Sequence, residues 1–248
     1  MKNTISIFLL LVITALNCKQ QSGEEIELSI KTKVGDEQLI VFTTETVGNS
    51  AMSMKNEYEL KFSVADINEN IYTYNLDVIG MKSNSNIGGE VEEFNSYKDV
   101  NTMTRDESEM YYELKTVLDS TFKISIDNKG NITKPFHYQS GKPFGDVIVE
   151  MAQIQIKLPE SKVQIGDEWK NERVNELTSS TIKTTFKLTE VSDDKITISS
   201  SSLIDGILGK NNSKGEYVLD RNTCQLIQGK VEMDMSFGGK VVVSTFSK

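Results

Sequence analysis

Tyr58-Glu-Leu-Lys-Phe-Ser-Val64 is followed, after Asp66-Ile-Asn-Glu-Asn70, by Tyr72-Thr-Tyr-Asn-Leu-Asp-Val78, and this stretch decides the fold. Tyr58, Leu60, Phe62 and Val64 alternate with Glu59, Lys61 and Ser63, and Tyr72, Tyr74, Leu76 and Val78 keep the same rule. A period of two buries one face and wets the other, as in an antiparallel sheet. The Asx-rich segment between the two runs reads as their turn. Working outward, Ile26, Leu28, Ile30, Thr32 and Val34 alternate with polar residues, and so do Val231, Met233, Met235 and Phe237. The run from Thr178 to Ser202 is rich in Thr and Ile, which fit strands. Turn signals fall at Val47-Gly-Asn-Ser50, Asp127-Asn-Lys-Gly-Asn131, Ser192-Asp-Asp-Lys195 and Lys210-Asn-Asn-Ser-Lys-Gly215.

Two segments follow a helical period instead. Met110, Tyr111, Leu114, Val117 and Leu118 predict a helix over 105–120, and Phe144, Val147, Ile148, Met151 and Ile154 predict another over 143–157. Pro143 suits a first turn and Pro159 stops the second helix. Each carries one apolar stripe, which fits either a lid over an apolar groove or a plug in the core. The expected fold is therefore mainly β within the α+β class. It is an antiparallel curved sheet or half-open β-barrel with two central helices.

The chain opens with Lys2, an apolar run Ile5–Leu16 and Cys18. That run is too short to span a bilayer, which takes about 20 apolar residues. Its layout is that of a removed secretory signal ending at a cysteine. Ala15-Leu16-Asn17-Cys18 resembles the looser lipoboxes of Bacteroidota lipoproteins. On that reading residues 1–17 are the signal, and Cys18 is the lipid (palmitate) attachment site. Residues 18–25 form a flexible tether, and 26–248 form one β-rich domain. The protein then works in the cell envelope, held on a membrane by its N-terminal lipid, with the outer membrane as the expected site. The alternative is a signal cut by the general peptidase, with Cys18 an incidental thiol.

The net charge of −9 repels phosphate backbones and anionic headgroups, so no nucleic-acid partner is expected. With Cys18 acylated, Cys224 has no partner in the chain for a disulfide. Lys33-Val-Gly-Asp-Glu37 echoes Gln164-Ile-Gly-Asp-Glu168, and the turn after Val64 echoes the one after Leu188, a pattern of two related halves.

Gln164-Ile-Gly-Asp-Glu-Trp169, Gly215-Glu-Tyr-Val-Leu-Asp-Arg-Asn-Thr223 and Phe122-Lys-Ile-Ser-Ile-Asp-Asn-Lys-Gly130 resemble the signatures of a family of uncharacterised Bacteroidota β-rich lipoproteins. The likeness covers most of residues 28–246. The family pattern has Gly where this chain has Cys224, which puts the shape of that turn in question. The resemblance brings no established activity. Its layout is similar to half-open barrels that carry lipids or lipoproteins.

Catalytic chemistry has little to work with. His137 is the only histidine, and no nucleophile elbow, zinc-protease or phosphate-loop motif occurs. Ser180-x-x-Lys183 and Ser192-x-x-Lys195 fall in strand or turn context. Asp66, Asn68 and Asn70, with Asp77 at the twelfth position, approach calcium-loop spacing, but Ile71 replaces the glycine of the sharp turn. Asp119-Ser120-Thr121 matches a short O-glycosylation pattern. The expectation is a non-enzyme without metal or cofactor. It would bind an apolar or amphipathic small molecule, with Val231, Met233, Met235 and Phe237 on the concave side. The alternative is a structural or interaction lipoprotein with a fully packed barrel whose partner is an envelope protein.

Overall fold

The computed structural model describes residues 23–49, 52–134, 156–175, 179–206, 209–234 and 239–248. Among these residues twelve strands form one antiparallel sheet. They are β1 (Glu37–Asn49), β2 (Met52–Asn68), β3 (Ile71–Ile87), β4 (Glu90–Asn95), β5 (Thr121–Asp127), β6 (Ile132–Lys134), β7 (Glu168–Asn175), β8 (Ser180–Val191), β9 (Lys195–Gly206), β10 (Gly209–Asp220), β11 (Leu226–Asp234) and β12 (Lys240–Ser247). The spatial order is β6-β5-β3-β2-β1-β12-β11-β10-β9-β8-β7, with β4 on the second half of β3. Two meanders thus meet at the β1–β12 seam.

Among the described residues β6 and β7 stay unpaired on their outer sides, so the sheet is open and the expected barrel is not closed. Closure needs the two edge strands to exchange a full ladder. β6 is only three residues long, and Lys170, Glu172 and Arg173 mark β7 as a charged edge, a common guard against further pairing.

Register explains the alternation. Phe42 lies opposite Tyr58, Leu60 opposite Val78, and Tyr74 opposite Ile124. The same face continues through Tyr217, Ile198, Leu188 and Phe186. This core face carries nearly all the buried apolar side chains. Phe62–Tyr74 and Trp169–Phe186 add ring contacts at 6.4 and 5.7 Å between centroids. The other face is polar, with directly opposed pairs Glu57–Lys82 (2.9 Å) and Glu172–Lys183 (3.4 Å).

The described residues hold one α-helix, α1 (Arg105–Leu118). Thr104 and Glu107 form a capping box at its start. Leu114 and Val117 are fully buried in the core cluster, so α1 acts as a plug and not as a lid. Of the expected helix over 143–157, residues 143–155 lie outside the described residues, and Ile156 and Lys157 are not helical.

Two strand-like expectations need correction. Residues 26–33 join no strand and Val34 lies in a turn; their one sheet-like link is the Ile26–Val163 bridge. Their backbone bonds to turns instead. Ile30 N–H donates to the Asn128 carbonyl and Lys31 N–H to the Thr223 carbonyl (2.8 and 2.9 Å). A second segment, 156–163, does the same: Leu158 N–H donates to the Lys129 carbonyl at 2.8 Å. These two leaders cover one end of the core face with Leu28, Ile30, Ile156 and Leu158. The second correction concerns Lys210–Gly215, which lies inside β10 and not in a turn: the whole stretch pairs with β9, and Ser213–Gly215 pair with β11 as well. The β9 ladder overrides the turn preference of its asparagines.

The Asp66–Asn70 segment is the β2–β3 hairpin, with Glu69 in the left-handed region (φ 55°). Both Gly-Asp turns make the same bonds. Gly35 N–H reaches the Val64 carbonyl and Gly166 N–H the Leu188 carbonyl (2.9 and 2.8 Å). Asp36 and Asp167 each accept from the backbone N–H three residues earlier (2.8 and 3.0 Å). A bulge follows in each hairpin, at Val64/Asp66 and at Leu188/Glu190.

Candidate functional site

The leaders seal one end of the core face but leave a cavity of about 90 Å³ beside the β1–β12 seam. Ile40 and Phe42 of β1, Leu60 and Phe62 of β2, and Thr245 of β12 form its floor. Leu219, Cys224 and Leu226 close one side, and Ile30, Ile156 and Leu158 of the leaders form the roof. Alternation places the sheet residues, and the two leaders reach the site because Ile26 pairs with Val163.

The lining is neutral. Gln38 spends its amide on the Leu226 carbonyl (2.6 Å). Burial pushes the Cys224 thiol up and the Tyr74 phenol well up; on the neighbouring stretch it raises Tyr58 to about 12. No carboxylate or amine lines the cavity. Thr245 is buried, and its hydroxyl oxygen has no hydrogen-bond partner. Leaving such a group unpaired costs about 1–3 kcal/mol.

Cys224 follows the Asp220 turn, where the Asp220 carboxylate accepts from the N–H groups of Asn222 and Thr223 (2.9 and 2.8 Å). Its φ is +53°, the left-handed region that glycine favours. The cysteine therefore holds a conformation that glycine adopts at less cost. The analogous turn after Asp127 has Gly130 at φ +82°.

Val231 and Met233 lie on the core face, Val231 opposite Val243 and Gly215, and Met233 opposite Val241 and Ser213. Both are half-buried. Met233 is seven residues beyond Leu226 on β11, about 23 Å from the cavity wall. Between them Gly229 lies against the Tyr217 ring, where a Cβ would stand 3.0 Å from it, and Gly215, Ser200 and Ser213 are small. Met235, Phe237, Cys18 and His137 lie outside the described residues. Ser180 and Lys183 are strand residues of β8, and Ser192 caps the β8–β9 turn. Among the described residues no group of three or more His, Cys, Asp or Glu could hold a metal ion.

The cavity residues Gln38, Thr245 and Leu226 were not visible as a set in the sequence. They come together through β1–β12 pairing across about two hundred residues, which no local pattern encodes.

Comparison with known proteins adds the following. The model of a family of unknown function, DUF6263, matches residues 147–244. No curated protein matches the chain. A lipovitellin structure describing lipid–protein interactions aligns over 88% of this chain with 8% identity and a TM-score of 0.55. The chain spans about a quarter (25%) of that protein's length. A Bacteroides fragilis NCTC 9343 protein described as exported, with a YmcC-like fold, aligns over 90% of this chain and 100% of its own. Its identity is 9% and its TM-score 0.34, too low to carry a fold assignment. No helix among the described residues is long and apolar enough to cross a membrane.

Proposed function

We propose that this protein is a non-catalytic lipoprotein of the cell envelope. It is anchored through acylated Cys18, with the outer membrane as its site, and holds an apolar or amphipathic ligand on the core face of its sheet. The observation that carries the reading is the gradient along that face. It is mostly apolar and buried under the leaders, and half-exposed around Val231 and Met233. Methionine adapts to irregular apolar partners, which suits a varied ligand. The likeness to lipovitellin, a protein described for its lipid interactions, adds support at the level of fold.

A second reading is a structural or interaction lipoprotein that works through its surface. It is favoured by the size of the cavity, since about 90 Å³ is far below the roughly 300–1,000 Å³ of small-molecule sites. A lipid chain therefore has to lie along the half-exposed stretch, with only its end in the cavity.

Native mass spectrometry of the protein purified from membranes tests the choice. Species heavier than the acylated chain by the mass of a lipid, released on unfolding, are expected. A chain without such adducts, even after incubation with fatty acid and phospholipid, would leave the surface-interaction reading standing.

A further inference from the structure

The two Gly-Asp turns have exposed apolar tips. Val34 is 62% exposed and Ile165 55%. Each precedes the glycine of its turn, a position the turn geometry leaves open to polar residues. The acidic neighbours are turned away, because Asp36 and Asp167 bond back onto their own turns. Both tips lie at the same end of the molecule. From β1 through β12, β11, β10, β9 and β8 to β7 there are six antiparallel steps, so β1 and β7 run in the same direction. Val34 precedes β1 and Ile165 precedes β7.

The chain also emerges at this end. Gly23 packs beside Gln164: a Cβ built on it would lie 3.5 Å from that of Gln164. Ile26 pairs with Val163 through bonds of 2.8 and 2.9 Å. Cys18 is five residues before Gly23, at most about 18 Å of extended chain. β10, twelve residues long, carries the sheet about 40 Å away from this end. A lipid on Cys18 therefore holds the tip end close to the bilayer and keeps the far end out of its reach.

We propose that the end of the sheet bearing the Val34 and Ile165 tips is a membrane-contact surface. The two side chains enter the interface of the bilayer that holds the acyl chains, and the half-exposed stretch around Met233 points away from it. The partner is a lipid surface of neutral headgroups, since the chain's net charge of −9 disfavours anionic ones. The proposal rests on the acylation of Cys18.

Single cysteines at Val34, Ile165 and Val174 provide the test, in a Cys224→Gly background that suits φ +53° at that position. Val174 is the control. It is 66% exposed and lies six residues beyond Glu168, the start of β7, about 20 Å along the same edge. The acylated variants carry an environment-sensitive nitrobenzoxadiazole label and are reconstituted in phosphatidylcholine vesicles. Labels at 34 and 165 are expected to brighten at least threefold and to be quenched by chain-brominated lipid, while the label at 174 stays water-like. Intact mass checks acylation first. An unacylated chain removes the anchor reading and this proposal with it. An acylated chain whose labels at 34 and 165 behave like the one at 174 overturns the orientation alone.

Discussion

Met233→Asp measures how deep the core face is at its far end. Met233 is half-buried, opposite Val241 and Ser213, so a carboxylate there can still reach water. Full burial of a methionine is worth about 1.5–3 kcal/mol, and roughly half of that is lost at this position. The poorer strand propensity of Asp adds up to about 1 kcal/mol. The expected cost is about 2 kcal/mol. Ile198→Asp, on the same face but with no exposure at all, buries an unpaired charge and should cost more than about 4 kcal/mol. Urea unfolding of the mature chain gives both numbers. If an apolar ligand lies across Met233, the new carboxylate should also weaken binding of N-phenyl-1-naphthylamine about tenfold, the equivalent of about 1.4 kcal/mol. Equal destabilisation by the two substitutions, with no dye binding by the parent, would show that the Met233 stretch is ordinary core and would refute the ligand-face argument.

Gly130→Ala should destabilise by about 3 kcal/mol or more in the same urea assay. Its φ of +82° costs a side chain about 1–2 kcal/mol, and the added Cβ would stand 2.6 Å from the Ile156 carbonyl, displacing the leader that Leu158 ties to Lys129. Cys224→Gly, at the analogous turn, should stay within about 1 kcal/mol of the parent, because relief of the left-handed strain offsets the lost thiol burial; a larger effect of Cys224→Gly than of Gly130→Ala would contradict this account. The third prediction concerns pH. The Tyr97 hydroxyl, then the Lys248 ammonium, hold the Glu59 carboxyl below the usual carboxylate range. The folded-state value lies below the unfolded one, so Glu59 stabilises fully above the ordinary carboxylate pKa of about 4.3 and loses that contribution as pH falls through its lowered value. In Tyr97→Phe the loss should begin at higher pH, visible in melting temperature against pH; an unchanged profile would mean that the Tyr97 bond contributes nothing.

Alternation made the sheet legible because it reports a buried face, and Tyr58–Val64 and Tyr72–Val78 do share that face across the β2–β3 ladder. It reports no partner, however. Ile26–Val34 alternates as cleanly as β2 does, yet Leu28 and Ile30 are buried under turns and their neighbours bond to turn carbonyls. A segment clamped across strand ends and a strand within a ladder have the same period, so sequence pattern alone cannot separate them. Lys210–Gly215 fails in the opposite direction. Its composition says turn, but the β9 ladder holds it in β10, with β11 joining from Ser213. The helix at Arg105–Leu118 was readable almost to its ends from the spacing of Met110, Tyr111, Leu114, Val117 and Leu118, a local pattern. The Gly-Asp echo was also local, and the two turns it marks make matching bonds.

The site was legible in direction but not in depth. Parity put Val231 and Met233 on the core face; what covers a position depends on elements from elsewhere in the chain. The cavity wall belongs to β1, β12 and the Asp220 turn, and its roof to leaders that begin near residues 26 and 156. Those leaders are held by contacts of long sequence separation. The Lys129 ammonium donates to the Leu28 carbonyl (2.8 Å), the Trp169 indole to the Lys157 carbonyl (2.7 Å) and the Tyr72 hydroxyl to the Ile30 carbonyl (2.9 Å). All three acceptors are leader carbonyls, which a true strand would have spent on its neighbour. Side chains of the sheet and its turns thus satisfy the backbone of the roof. The roof also carries the tether at Gly23, so the cover over the cavity and the route to Cys18 are one continuous piece of chain. An amphipathic ligand that entered from the Met233 end would meet that cover last.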